Sequence, residues 1–155
     1  EVRKRHPNIV VLRTYSKAYG LAGLRLGYGI ARPDIIDFLN RVRMPFNVNS
    51  VALAAGVAAL GDVEHVVKSR ALVASELPFI TEGVRALGGV VPPSQGNFIF
   101  ADFPGHPAQP LFEKLLREGV VVRPLTGFGF PTAQRISLGR RADNERLLAA
   151  LKKAL

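Results

Sequence analysis

The sequence predicts a mixed α/β protein: two blocks joined by one long helix. Three observations carry this. Short β-branched runs, such as NIVVLRT (8–14), NFIFAD (97–102) and QRISLG (134–139), alternate with segments whose apolar residues recur every three to four positions. One such segment is much longer than the rest, with Val63, Val66, Val67, Val73, Leu77, Ile80, Val84 and Leu87 along it. After Gly88-Gly89 the rhythm changes to short strands and short helices. The blocks are therefore 1–60 and 88–155, with 61–87 as the linking helix.

The elements follow in order. Residues 8–14 read as a buried strand, 15–24 as a loop containing Gly20 and Gly23, and RLGYGIA (25–31) as a second strand. Pro33 opens a helix at its first turn, with Ile35, Ile36 and Leu39 on one face. MPFNVNS (44–50) is a break. VALAAGVAAL (51–60) is a small-residue helix expected to be buried and closely packed. Gly61 ends it, and the Asp62 carboxylate caps the long helix. Pro78 removes one backbone donor and should bend that helix. Pro107 starts a helix carrying Leu111, Leu115 and Leu116, which Gly119 terminates. VVVRPL (120–125) reads as a strand, TGFGFPT as a turn-rich loop and 134–139 as a strand. Asp143 is expected to cap a final helix whose Leu147, Leu148, Leu151 and Leu155 form an apolar face. The first block has too few strands to close its own core, and the chain opens within a charged segment, EVRKRHPN. We therefore expect a longer parent protein.

Composition narrows the function. Apolar residues make up 48% and charged residues 21%, the balance of a globular protein. With no cysteine, disulfide scaffolds and thiolate chemistry are excluded, which suits a cytoplasmic protein. No apolar run reaches the roughly 18–20 residues of a membrane span. Of the net charge of +9, residues 1–50 carry nine Lys/Arg against three Asp/Glu. These positives are scattered singly, apart from Arg3-Lys4-Arg5, and only 8% of residues are aromatic. That argues against a nucleic-acid surface and for a small anionic ligand. His6, His65 and His106 lie far apart and read as surface residues, with no metal-ligand spacing.

The basic surplus sits around TYSKAYGLAGLRLGYG (14–29). Alone, Lys17 would read as a solvated loop lysine. Its neighbours Thr14, Ser16 and Arg25 add two hydroxyls and a forked cation, a set suited to a phosphate group. A lysine amine is also a nucleophile toward an aldehyde, giving a Schiff base. Pyridoxal phosphate offers both an aldehyde and a phosphate. The glycines match neither GxGxxG nor GxxxxGK[ST] and could serve only tight turning. Arg123 and Arg135 each lie at a strand end beside a Gly/Pro loop. Adjacent strands could aim both at one dianion, or both could form surface ion pairs. Asn97 in SQGNFIF is a weaker candidate for the pocket wall.

The lysine segment closely resembles that of the fold-type I pyridoxal-phosphate aminotransferases. Together with PFNVNS, SQGNFIF, VVVRPL and QRISLGRRADNERLL, in this order along the whole chain, it is most similar to the histidinol-phosphate aminotransferases. The resemblance implies that residues 1–60 are the end of a large cofactor-binding α/β layer and 88–155 a small carboxyl-terminal domain. It implies Lys17 as the Schiff-base lysine and proton carrier, with Thr14, Ser16 and Arg25 around the cofactor phosphate. It further implies Arg135 and Arg123 on the acidic end of the substrate, a 2-oxo acid as co-substrate, and a homodimer.

Such enzymes also need an aspartate facing the pyridine nitrogen. None of Asp34, Asp37, Asp62, Asp102 or Asp143 has that context, so this chain alone is expected to be inactive. Competing readings are a threonine-phosphate decarboxylase, an aromatic or broad-range aminotransferase that would not need Arg123, and a basic binding module without catalysis.

Overall fold

The computed structural model describes residues 5–155. The chain divides into two compact units, Glu1–Ser69 and Arg70–Leu155. Its elements are β1 (Val11–Thr14), β2 (Gly27–Ile30), α1 (Pro33–Val42), α2 (Ser50–Gly61), α3 (Val63–Ala86), β3 (Phe98–Asp102), α4 (Ala108–Arg117), β4 (Arg123–Pro124), β5 (Ala133–Ser137) and α5 (Arg141–Ala154). The unit boundary falls inside α3, which continues through Pro78 as one helix. Among the described residues, no single helix is long and apolar enough to cross a membrane.

In the first unit, β1 and β2 pair antiparallel, with Thr14 opposite Gly27 and Val11 opposite Ile30. Tyr15 N–H donates to the Leu26 carbonyl at 3.1 Å, carrying the pairing one step past the strands. Tyr15 and Leu26 are the two large buried side chains here, and they pack on α2 at Gly56. A Cβ on Gly56 would lie 2.3 Å from Leu26 Cδ2, so the close approach needs glycine. Asn49 caps α2, its Oδ1 accepting from Ala52 N at 2.8 Å. The expectation that α2 is buried holds only along Ala52 and Gly56. Val51, Leu53, Val57 and Leu60 are exposed, because only one edge of the helix meets the β1–β2 turn. Asp62 caps α3 as expected, accepting from His65 N at 3.0 Å.

The second unit is an antiparallel sheet in the order β3-β5-β4, with helices against one face. Alternation along β3 and β5 sends Ile99, Ala101, Gln134 and Ile136 into the core. Ile99, Ala101 and Ile136 meet Ile80 and Val84 of α3, Leu111 and Leu115 of α4, and Leu147 and Leu151 of α5. Gly88, at φ +87, and Gly89 close α3, with Gly89 N–H returned to the Val84 carbonyl at 3.0 Å.

Two sequence expectations are corrected in this unit. The strand over 120–125 shrinks to Arg123–Pro124: Val120 N–H is taken by the Leu115 carbonyl at 2.9 Å, closing α4. Asp143 does serve the N-terminus of α5, but in a capping box rather than from the cap position. It stands at the third helical position and accepts from Arg140 N at 3.3 Å, while Arg140 takes the cap position.

Candidate functional site

The predicted cofactor residues lie in the first unit and the predicted substrate residues in the second, and each set is described within its own unit.

In the first unit, the strand pair ends where the candidates begin. Thr14 is the last residue of β1, and its hydroxyl oxygen accepts from Ser16 N–H at 3.0 Å. That leaves the Thr14 hydroxyl proton free to donate outward. Gly27, across from Thr14, would carry a Cβ only 2.7 Å from the Arg13 carbonyl oxygen. Backbone packing therefore fixes glycine at this position. The loop then turns back on itself: Gly20 N–H donates to the Lys17 carbonyl at 2.8 Å, and Leu21 N–H to the Tyr15 carbonyl at 3.0 Å. Ser69 Oγ ties the loop to α3 through the Ala18 carbonyl at 3.1 Å. Burial, with the Tyr28 and Tyr19 phenols nearby, pushes the Tyr15 hydroxyl above its ordinary range.

Lys17 is exposed, and its ammonium has no acceptor among the described residues. Arg25 follows the short 3₁₀ turn Ala22–Leu24 with a left-handed backbone, φ 54 and ψ 43. Such a backbone costs a non-glycine residue about 1–3 kcal/mol and is concentrated at functional sites. Its own guanidinium offsets part of this strain, Nη1 donating to the Ala22 carbonyl at 2.7 Å. Ser16 and Arg25 each lie one residue beyond the Tyr15–Leu26 hydrogen bond that ends the strand pairing. A hydroxyl donor, a second hydroxyl, a fork of N–H donors and an ammonium without an acceptor among the described residues are thus carried by the end of β1 and the loop that joins it to β2. That donor set fits a phosphorylated aldehyde.

In the second unit, Arg123 and Arg135 are direct cross-strand partners in the β4–β5 pair. Arg135 also faces Phe100 of β3, on the sheet face away from the core. Among the described residues neither arginine has a carboxylate partner. Each instead stands near an aromatic ring at 5.5 Å from its centroid: Arg123 at Phe128 and Arg135 at Phe98. Like charges directly opposite on a sheet destabilise it, and no local anion relieves the pair. Asn97 joins this sheet through its backbone, its carbonyl accepting from Leu138 N–H at 2.9 Å. Its side chain is exposed.

All five aspartates already have a partner within the chain. Asp34 pairs with Arg32, whose hydrogen bonding holds its carboxyl below the usual range, and Asp37 pairs with Arg41. Asp62 caps α3, Asp102 accepts from Thr132 and Asp143 accepts from Arg140.

Sequence reading missed Glu76. It is buried in the second unit, with its carboxylate holding Arg141 and Asn144. A signal was present: position 76 falls between Val73 and Ile80 at helical spacing, on the apolar side of α3.

Comparison with known proteins places these residues in context. Residues 3–151 match the family described as aminotransferase class I and II. A histidinol-phosphate aminotransferase of Anaeromyxobacter sp. (strain Fw109-5) is 62% identical over 154 residues, covering 99% of this chain and 42% of that protein. The crystal structure of histidinol-phosphate aminotransferase from Sinorhizobium meliloti, in complex with pyridoxal-5'-phosphate, matches with a TM-score of 0.84 and 29% identity, covering 96% of this chain and 41% of that one. L-threonine-O-3-phosphate decarboxylase from Porphyromonas gingivalis matches with a TM-score of 0.83 and 28% identity, covering 95% and 46%. The chain thus spans about two fifths of the length of the curated relatives it matches.

Proposed function

The chain belongs to the class I and II aminotransferase family, and from that premise we propose that it is the carboxyl-terminal part of a pyridoxal-phosphate-dependent histidinol-phosphate:2-oxoglutarate aminotransferase of histidine biosynthesis. In this reading residues 1–60 belong to the large cofactor-binding domain, 61–87 link, and 88–155 form the small domain. The parent works as a cytoplasmic homodimer.

When bound, pyridoxal phosphate supplies an electron sink for the bond that breaks at the substrate Cα. The chain's own residues do the rest. The exposed Lys17 amine would hold the cofactor through its aldehyde and, when free, would be the base that takes the proton at the substrate Cα. The Thr14 hydroxyl, the Ser16 hydroxyl and the Arg25 fork bind the cofactor phosphate and so fix where Lys17 acts. Arg123 and Arg135 bind the substrate's phosphate, and Asn97 borders that pocket.

One observation carries the substrate assignment: two arginines are register partners with no carboxylate between or beside them among the described residues. A dianion bridging both would replace repulsion with charge-assisted hydrogen bonds from both guanidinium forks. A monocarboxylate substrate needs only one of the two.

The test uses the full-length enzyme loaded with pyridoxal phosphate. Histidinol phosphate without any keto acid should bleach the visible cofactor band, and 2-oxoglutarate should restore it. Carbon dioxide release from threonine phosphate, with no response to histidinol phosphate, would move the assignment to the decarboxylase. Because all five aspartates are engaged elsewhere, the 155-residue chain alone should not turn over.

A further inference from the structure

Glu76 is the one buried acidic side chain among the described residues, with 3% of its surface exposed. Neither the cofactor set nor the substrate set uses it. An unpaired carboxylate there would be costly, and it is in fact fully bonded. Oε1 accepts from Arg141 Nε and Nη2 at 3.1 and 3.0 Å, and Oε2 accepts from Asn144 Nδ2 at 2.8 Å. The Arg141 guanidinium lies 3.7 Å from the centroid of the Phe79 ring, one turn along α3.

These bonds lead to the substrate sheet. Asn144 holds Gly139 by both backbone groups: its Oδ1 accepts from Gly139 N at 2.9 Å, and its Nδ2 donates to the Gly139 carbonyl at 3.0 Å. Gly139 cannot take a larger residue without disturbance, since a Cβ would lie 2.9 Å from Asp143 Cβ. The preceding residue, Leu138, donates its N–H to the Asn97 carbonyl. That bond is the last rung of the β3–β5 ladder, next to the Phe98–Ser137 pair and three positions from Phe100–Arg135. A single buried carboxylate on α3 therefore anchors the exit of the strand that carries Arg135 and the entry of the strand that follows Asn97.

We propose that Glu76 is a positioning residue for the substrate site: through Asn144 and Gly139 it fixes the β3–β5 ladder and so the aim of Arg135 and the placement of Asn97. Its action is mechanical, transmitted by hydrogen bonds, and it touches neither substrate nor cofactor. The inference rests on the assignment of Arg135 to the substrate phosphate.

The experiment compares Glu76→Gln, Asn144→Ser and Arg135→Lys in the full-length enzyme loaded with pyridoxal phosphate. The readouts are KM and kcat for histidinol phosphate, the inhibition constant of inorganic phosphate, and the thermal midpoint. Asn144→Ser cuts the link to Gly139 while keeping the Glu76–Arg141 pair, so it reports even if Glu76→Gln folds poorly. Misplacement of a binding group by a remote change can cost up to about 100-fold. We expect both Glu76→Gln and Asn144→Ser to raise KM and the phosphate inhibition constant together, by roughly five-fold or more, with kcat held within about two-fold. A lowered thermal midpoint with both constants at the wild-type value would make Glu76 a stability element only and overturn the inference. A wild-type KM in Arg135→Lys would instead overturn the substrate-site assignment itself.

Discussion

Arg123 and Arg135 stand directly opposite each other across β4 and β5, two guanidinium groups in register with no carboxylate partner among the described residues. Like charges directly opposite destabilise a sheet unless an anion bridges them. Replacing either by Lys keeps the charge but loses the planar fork. Losing a charge-assisted hydrogen bond costs about 1.5–3 kcal/mol, so KM for a phosphorylated amine should rise roughly 10- to 100-fold. Steady-state kinetics on each single variant check this. Equal loss for a non-phosphorylated amino acid would contradict a dianion role.

Gly27 is fixed by backbone packing beside Thr14. Gly27→Ala forces its Cβ against the Arg13 carbonyl oxygen, an atom that cannot swing away. The β1–β2 pair should be weakened by about 1–3 kcal/mol. Urea unfolding followed by circular dichroism gives the loss directly. A substitution that unfolds at the same urea concentration as wild type would show that the strands separate at no cost.

Glu76 sets an acid limit on the second unit. The Asn144 amide, and then the Arg141 guanidinium and the Ser75 hydroxyl, hold its carboxyl below the usual range, against the opposing effect of burial. Because the folded-state value lies below the unfolded one, the group stabilises the fold above the unfolded value, about pH 4.3. That contribution disappears as pH falls through the lower, folded-state value. The difference in thermal midpoint between wild type and Glu76→Gln should therefore be largest above about pH 5 and shrink below pH 4. A difference that is constant from pH 7 to pH 3 would show that the carboxylate charge is not what stabilises.

Much of this architecture was legible in the letters. Hydrophobic period predicted strands over 8–14 and 97–102, where the structure has Val11–Thr14 and Phe98–Asp102, but the first is largely exposed rather than buried; glycine and aspartate marked the ends of α3. The readings that missed did so for lack of partners. VVVRPL has the composition of a strand, but Val120 gives its N–H to the end of α4, a contact no local pattern announces. VALAAGVAAL reads as buried, yet only Ala52 and Gly56 of it are buried. The lysine turn stood out because its residue types are unusual together. The left-handed backbone of Arg25 did not, since nothing about an arginine signals it. Glu76 was hidden by the opposite problem: a lone charged letter in an apolar row looks like a boundary until Arg141 and Asn144, more than 60 residues away, are brought to it.

Lys17 is proposed to carry the cofactor. Sodium borohydride reduction of the pyridoxal-phosphate-loaded enzyme fixes the cofactor to its lysine, and peptide mass mapping then locates the phosphopyridoxyl group. The account predicts the label on the TYSKAYG peptide at Lys17, and its loss together with the visible cofactor band in Lys17→Ala. A label on any other lysine, within these 155 residues or elsewhere in the enzyme, would contradict it.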